Sequence, residues 1–308
     1  MCNATGHLFC TRSTAITFHL GGARSERKTA HERYRHSHRM DTGIGYSSRG
    51  GKSQTYSCVA TSIIQHYLKA GIHAVLEVLY PSFCCVCKGK LIQGEQIVCS
   101  DCLQTISLTE HALLEKNGID LLFAELIHKE KRTVHFERGA AFAYYNRERG
   151  QTLRSMIEQG KFGRHTQPHI FYLLGQLAGK EYIDSDIFDD VDFLVPIPLH
   201  PRRLRERGFN QAEHICKGLN EILHIPIDTQ HLVRTHNNPH QSRSSFHERS
   251  SNVKDIFAVH YPEEWKGKHI MLVDDVITSG STMMACMKQM TSIRGCRISV
   301  FALGWAHS

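Results

Sequence analysis

The sequence predicts an α/β fold, a parallel sheet flanked by helices and preceded by a small four-cysteine zinc ribbon. Three observations support it. The apolar run Ile270-Met271-Leu272 reads as a strand buried on both faces of a parallel sheet, and Val273-Asp274-Asp275 follows it directly. From about Ala140 onward, strand-like and helix-like segments alternate. Upstream, Cys84 and Cys87 form one close pair and Cys99 and Cys102 another, the spacing of a zinc site.

A chain of 308 residues can hold two domains or one large one, and a hydrophobic content of 41% suffices for a core. Charge is unevenly placed. Ten of the 37 Lys and Arg but only three of the 30 Asp and Glu fall in residues 1–70, so the remainder carries no net charge. Overall basicity therefore says nothing about nucleic acid. Residues 1–70 lack sustained periodicity and read as a disordered or non-native basic extension, with translation starting later, for example at Met40. A basic arm against nucleic acid is the alternative. Gly45 to Ser53 imitates a nucleotide-binding P-loop, but Tyr46 stands where the motif needs glycine. No secretory signal and no run of about 18 apolar residues is present, which reads as a cytoplasmic protein without membrane insertion.

The cysteine pairs come next in order, after a short helical run at Ala74-Val75-Leu76-Glu77-Val78-Leu79. Two residues inside each pair let a tight knuckle aim both sulfurs at one ion, and the stretch between the pairs, with turns at Gly89 and Gly94, can return as a hairpin. Four thiolates leave no open position for water, so the expected role is structural. A redox dithiol is the competing reading, and Cys85 could replace Cys84 as ligand. Cys216, Cys286 and Cys296 sit in apolar contexts and read as core thiols.

The α/β part opens with a strand at Ala140–Tyr145 and a helix whose apolar face holds Leu153, Met156, Ile157 and Phe162, with Arg154, Lys161 and Arg164 towards solvent or an anion. A second helix runs from Pro168 to Tyr182, with proline in its first turn. An apolar strand from Asp192 then meets Pro196, Pro198 and Pro201. The stretch Arg202 to Gln211 follows, a solvated charged face or a set of cations for phosphate oxygens.

Asp274 and Asp275 close the most informative segment. Carboxylates at the carboxyl end of a buried parallel strand sit where open α/β folds bind ligands, and they can accept hydrogen bonds from adjacent sugar hydroxyls. Thr278, Ser279, Gly280, Ser281 and Thr282 form a hydroxyl- and glycine-bearing turn that opens a helix near Thr282, and free N–H groups there can cradle a phosphate. The plainer reading is a strand-turn-helix corner with a capping hydroxyl. A Ser-His or Cys-His hydrolase finds no Gly-X-Ser-X-Gly elbow.

The run Val273 to Thr282 closely resembles the phosphoribosyl pyrophosphate signature of type I phosphoribosyltransferases, with Ser279 where many carry Thr. The cysteine pairs, the Leu153 to Phe162 helix, Val195-Pro-Ile-Pro-Leu-His-Pro-Arg-Arg-Leu-Arg-Glu-Arg-Gly-Phe-Asn-Gln211 and the Gln241 to Asn252 segment, in that order, resemble the ComF or GntX-type phosphoribosyltransferase-like proteins over roughly residues 75–308. That resemblance implies a zinc ribbon at 75–108, a connecting segment at 109–137 and a phosphoribosyltransferase-like domain at 138–308. It implies that Asp274 and Asp275 hold the ribose 2′- and 3′-hydroxyls and that Thr278 to Thr282 hold the 5′-phosphate. It also implies that Val195 to Arg203, with Pro196, Pro198, Arg202 and Arg203, forms the pyrophosphate loop. Arg234 to Asn252, with Gln241 and Arg249, would be a flexible lid, or else a plain exposed loop. The implied cofactors are structural Zn²⁺ and Mg²⁺ bound with phosphoribosyl pyrophosphate. The implied activity is transfer of phosphoribose to a nitrogenous acceptor. The alternative is a non-catalytic accessory of DNA uptake and natural transformation that binds single-stranded DNA or the uptake machinery.

Overall fold

The computed structural model describes residues 82–130, 134–162, 167–235 and 256–307. The basic segment with Met40, the run Ala74–Leu79, Arg164, and the lid positions Gln241 and Arg249 lie outside the described residues.

Four strands, β1 (Phe136–Tyr144), β2 (Phe193–Pro196), β5 (His269–Ile277) and β6 (Arg297–Trp305), form one all-parallel sheet in the order β1-β6-β5-β2. Strands β3 (Leu232–Arg234) and β4 (Phe257–Val259) pair antiparallel as a separate ribbon. The helices are α1 (Ser100–Gln104), α2 (Gly118–Glu130), α3 (Gln151–Phe162), α4 (Pro168–Tyr182), α5 (Pro201–Arg207), α6 (Gln211–Leu223) and α7 (Ser281–Met290).

Alternate residues of β5 enter different cores, because successive side chains of a strand point to opposite faces. Met271 and Val273 join Leu153, Met156, Leu174 and Ile215 of α3, α4 and α6. Ile270 and Leu272 join Phe123 of α2 and Met283, Met284 and Met287 of α7. The central strand is thus covered on both sides, which is why it reads as an unbroken apolar run. Both sheet edges are occupied. Leu194 of β2 bonds Pro226 and Asp228, while Tyr144 and Phe142 of β1 bond Ser107 and Thr109.

On the first face α4 and α6 cross with glycine against backbone. A Cβ on Gly175 would come within 2.4 Å of the Ile215 carbonyl oxygen, and one on Gly218 within 2.2 Å of the Tyr172 carbonyl oxygen. Only glycine at both positions allows that approach.

Three local features differ from the expected pattern. β1 starts four residues before Ala140, at Phe136. Helix α2 fills part of the stretch expected to be a connector. Asn117 caps it by accepting from the Ile119 and Asp120 N–H groups, while the Asp120 carboxylate accepts from the Asn117 N–H (3.1 Å). The same two side chains bond both backbone groups of Gly139 and so tie the helix start to β1. Phe162, expected on the apolar face of α3, is 75% exposed. It lies five residues beyond Ile157, about 140° around the helix.

Candidate functional site

The four-cysteine unit is built by two short turns. The Cys84 N–H bonds Gly89 O (2.8 Å) and the Lys88 N–H bonds Cys84 O (3.1 Å), closing the first knuckle around Lys88 at φ 62. The second knuckle is the start of α1, and the Glu95 carboxylate fastens it by accepting from the N–H groups of Ile92 (3.0 Å) and Ser100 (2.7 Å). The sulfurs of Cys84, Cys87, Cys99 and Cys102 all lie within 4.8 Å of one another, and Cys87 Sγ is 3.7 Å from Cys99 Sγ. A tetrahedral zinc with Zn–S near 2.3 Å would space its sulfurs by about 3.8 Å, so the donor set fits. Burial pushes the Cys84 thiol up, but the N–H groups of Cys99, Cys87 and Val86 outweigh it and bring the thiol down to about 6. Cys85 is not one of the four clustered sulfurs, and burial pushes its thiol up to about 11. Leu91, Val98 and Ile106 enter the apolar cluster of the α3/α4/α6 face, so the unit is part of the main core.

The second site lies at the carboxyl end of β5. Asp274 is half-buried and Asp275 buried. The strand runs on to Ile277, and α7 starts at Ser281, one residue before the expected Thr282. Gly280 makes the turn at φ 69 and no side chain caps the helix, so its first N–H groups have no side-chain acceptor, while Thr278, Ser279, Ser281 and Thr282 are exposed beside them. Asp274 and this turn line one small concavity. His307, stacked on Trp305 with centroids 4.6 Å apart, places its Nε2 2.6 Å from the Thr278 carbonyl oxygen and braces the turn from the chain's other side.

Cations surround the carboxylates. Lys161, from the end of α3, puts Nζ 2.5 Å from Asp275 Oδ2, with the two side chains only 19% and 12% exposed. Gln211, at the start of α6, reaches the same oxygen at 3.5 Å. Among the described residues Asp274 has no cation in direct contact, and it accepts from the Asp275 N–H (2.8 Å). Burial and the neighbouring Asp275 carboxylate push its carboxyl up to about 7, against the weaker pull of Lys161 and Arg234. Arg234, the last residue of β3, lies over the Phe257 ring at 5.4 Å and keeps a buried Nε without a hydrogen-bond partner.

The expected pyrophosphate loop follows β2. Pro196 pairs with Val273, the Ile197 N–H bonds Val273 O (2.9 Å), and Asn210 holds Ile197 O (3.1 Å) while capping α6. Pro198 is half-buried beyond it. The basic stretch is a helix, α5, with Pro201 in its first turn and the His200 ring accepting from the Arg202 N–H. Arg202 turns to Glu206 (2.9 Å) on the exposed side. Arg203 is half-buried and acts electrostatically on both Arg234 and His200. Burial, Arg234 and the neighbouring arginines together depress the His200 imidazole. The structure therefore gathers Asp274, Asp275, the Thr278–Thr282 turn, Arg203 and Arg234, and sets Arg202 apart.

Gln211 and His307 are the residues that sequence reasoning did not place in the site, whereas the sequence marks Lys161 as a cation facing solvent or an anion and Arg234 as the start of the lid segment. A larger cavity, about 630 Å³, sits at the opposite end of β1 beside Leu114, Leu121 and Arg138, away from all of these groups.

These features define a parallel α/β domain whose central strand ends in paired carboxylates, joined through its core to a four-cysteine unit able to hold a metal. The chain is a homologue of the ComF-family proteins. Over 208 residues it is 29% identical to DNA utilization protein YhgH of Escherichia coli (strain K12), an alignment covering 66% of this chain and 88% of that protein. It is 32% identical over 114 residues to Competence protein F of Haemophilus influenzae, covering 37% of this chain and 50% of that protein. It is 38% identical over 100 residues to Competence protein ComFC of Bacillus subtilis, covering 32% and 38%. No family model matches the chain. Among solved structures it is similar to an allosteric regulatory enzyme of purine biosynthesis (15% identity, 47% of this chain and 29% of that one, TM-score 0.31). It is also similar to an adenine phosphoribosyltransferase from Leishmania donovani (12% identity, 59% and 79%, TM-score 0.27). At those TM-scores neither likeness carries weight. Among the described residues no helix is long and apolar enough to cross a membrane.

Proposed function

We propose that the protein binds phosphoribosyl pyrophosphate with Mg²⁺ at the carboxyl end of β5 and transfers its phosphoribose to a nitrogenous acceptor. The observation that carries this reading is the Asp274–Asp275 pair standing directly before an uncapped helix start at Gly280. Asp274 and Asp275 accept from the ribose hydroxyls, and the N–H and hydroxyl groups of Thr278 to Thr282 take the 5′-phosphate. Arg203 and Arg234 face the diphosphate, with Pro196 and Pro198 shaping its loop, and Arg202, Gln241 and Arg249 as further substrate-binding residues that the family resemblance implies. Asp274 and Asp275 would stand near the ligand's oxygens that hold Mg²⁺, which when bound would supply charge neutralisation of the diphosphate. The anomeric C–O bond breaks with its electron pair leaving on diphosphate, a nitrogen lone pair forms the new C–N bond, and no protein nucleophile is needed. The chain's part is to position the ribose, exclude water and stabilise the departing charge. Zinc at Cys84, Cys87, Cys99 and Cys102 is structural.

A second reading is an accessory of DNA uptake that binds single-stranded DNA without turnover, and the names of the relatives favour it. Calorimetric titration of phosphoribosyl pyrophosphate and Mg²⁺ into the zinc-loaded protein separates the two. The wild type should bind, and Asp274→Asn/Asp275→Asn should weaken binding by more than about tenfold. No binding by folded wild type would overturn the first reading, and salt-dependent single-strand binding lost with zinc would support the second.

A further inference from the structure

The cations near Asp274 and Asp275 form two groups. On the β3 side Arg234 acts on Asp274, and Arg203 of α5 acts on both Arg234 and Arg207. On the α3 side, Lys161 holds Asp275, and the Arg207 guanidinium lies over the Phe162 ring at 5.7 Å. Arg207 acts electrostatically on Asp275, yet it forms no ion pair with any described residue and is half-buried. Phe162 is 75% exposed. A half-buried guanidinium without a carboxylate and an aromatic ring without an apolar cover, side by side at the ribose end of the sheet, are each incomplete. One ligand can complete both: a flat ring packs on Phe162, and a carboxylate on that ring meets the planar fork of Arg207.

We propose that the space between the ends of α3 and α5 is the acceptor subsite, and that the acceptor is a planar heteroaromatic ring bearing a carboxylate. Arg207 takes the carboxylate, Phe162 takes the ring face, and Lys161, fixed by Asp275, contributes a second positive charge at the ring's edge. A neutral nucleobase would leave Arg207 half-buried and unpaired, so the same geometry selects against it. This inference rests on the phosphoribosyl reading, because the acceptor nitrogen must meet the anomeric carbon beside Asp275.

The test uses matched rings that differ only in the carboxylate, nicotinate against nicotinamide and orotate against uracil. Each is titrated calorimetrically into the full zinc-loaded chain, with and without phosphoribosyl pyrophosphate and Mg²⁺. At least one acid should bind more than about tenfold tighter than its neutral partner. Arg207→Ala should erase that difference, Arg207→Lys should retain only part of it, and Phe162→Leu should weaken both members of a pair alike. In all three variants affinity for phosphoribosyl pyrophosphate should change by less than about threefold. Equal affinity for acid and neutral rings, or no binding of any ring, overturns the inference while leaving the phosphoribosyl site standing. If Arg207→Ala weakens phosphoribosyl pyrophosphate as much as the acid, Arg207 belongs to the diphosphate and the inference also falls. If the acids bind through Arg207 but phosphoribosyl pyrophosphate does not bind, the phosphoribosyl reading fails and the carboxylate-ring subsite remains.

Discussion

The cysteine unit and the aspartate corner solve the same electrostatic problem in opposite ways. Both crowd groups that repel when ionised: four thiols within 4.8 Å in one, two adjacent carboxyls in the other. The cysteine unit takes all its donors from nineteen consecutive residues, Cys84 to Cys102, and no lysine or arginine side chain is paired with its sulfurs among the described residues. Nearby backbone N–H groups favour the Cys84 thiolate, and a bound metal would relieve the rest of the repulsion. The aspartate corner draws its compensation from elsewhere in the chain, Lys161 from α3 and Arg234 from β3, and it leaves Asp274 with a carboxyl raised to about 7. A closed, locally encoded site therefore serves stability. Under the proposed function, a site compensated from a distance, with one carboxyl left poised, serves a ligand.

The largest way to break this contrast is to remove the metal. Metal binding to an unfolded four-cysteine segment is folding free energy, on the order of 10 kcal/mol in isolated zinc peptides. Chelation, or Cys87→Ser, should unfold the knuckles and expose Leu91, Val98 and Ile106, which belong to the main core. The melting temperature of the whole chain should fall by more than about ten degrees. Cys85→Ser should keep one zinc per chain by elemental analysis. Loss of zinc in that variant would show that the ligand set is wrong.

A smaller effect separates scaffold from site. Gly218→Ala places a methyl group 2.2 Å from the Tyr172 carbonyl oxygen, a backbone atom that cannot step aside. Overpacking of this kind costs about 1–3 kcal/mol, read as a shift of the urea midpoint. Of the corner's residues only Gln211, seven residues before Gly218 on α6, comes from either crossing helix, so affinity for phosphoribosyl pyrophosphate in the folded variant should stay within about threefold. A larger loss would mean that the helix crossing sets the site's shape.

The two regions also differ in what their sequence discloses. Cys84, Cys87, Cys99 and Cys102 are legible because a knuckle is local chain geometry, and spacing alone brings the sulfurs together. Helix α4 is legible from Pro168 to Tyr182 because its proline and apolar period agree. The strand and turn of the aspartate corner are legible for the same reason, down to one residue at the start of α7. That Lys161, Gln211 and Arg234 lie near its carboxylates is not legible, because nothing in a sequence says which distant cation will fold beside a carboxylate. Helix α2 was within reach: Ile119, Phe123 and Leu126 recur at helical spacing behind the Asn117–Asp120 cap. Choosing between Cys84 and Cys85 needed the fold, since only the observed positions of the sulfurs show which of two adjacent thiols joins the other three.

The poised carboxyl gives a pH signature opposite in sign to that of the cysteine unit, where Glu95 contributes stability that is lost as pH falls. The folded value for Asp274, about 7, lies above the ordinary 3.8, so the folded chain holds a proton that the unfolded chain has released. Between those values stability falls as pH rises, and the penalty is complete above about 7. Asp274→Asn carries no such charge. Its melting temperature should therefore gain on the wild type as pH rises from about 5 to about 8. Ribose hydroxyls donate to the ionised carboxylate, so wild-type affinity for phosphoribosyl pyrophosphate should strengthen across the same range. A parallel pair of stability profiles would mean that Asp274 is ionised throughout.

Glu95 provides the mildest test, on the cysteine side. Its carboxylate accepts from the Ile92 and Ser100 N–H groups, and those bonds hold its pKa below the usual value. Stability from such a group is present above the unfolded pKa and is lost as pH falls through the folded one. Glu95→Gln keeps the shape and can still accept one bond, so the knuckle should survive and only loosen. Zinc release to a competing chelator near neutral pH should quicken by about threefold, far less than in Cys87→Ser. Because the unit's stability lies in the metal–sulfur bonds, a bracing carboxylate can set how often the knuckle opens without deciding whether it forms. A release rate as fast as that of a ligand variant would reverse this order and make Glu95 an essential part of the closed site.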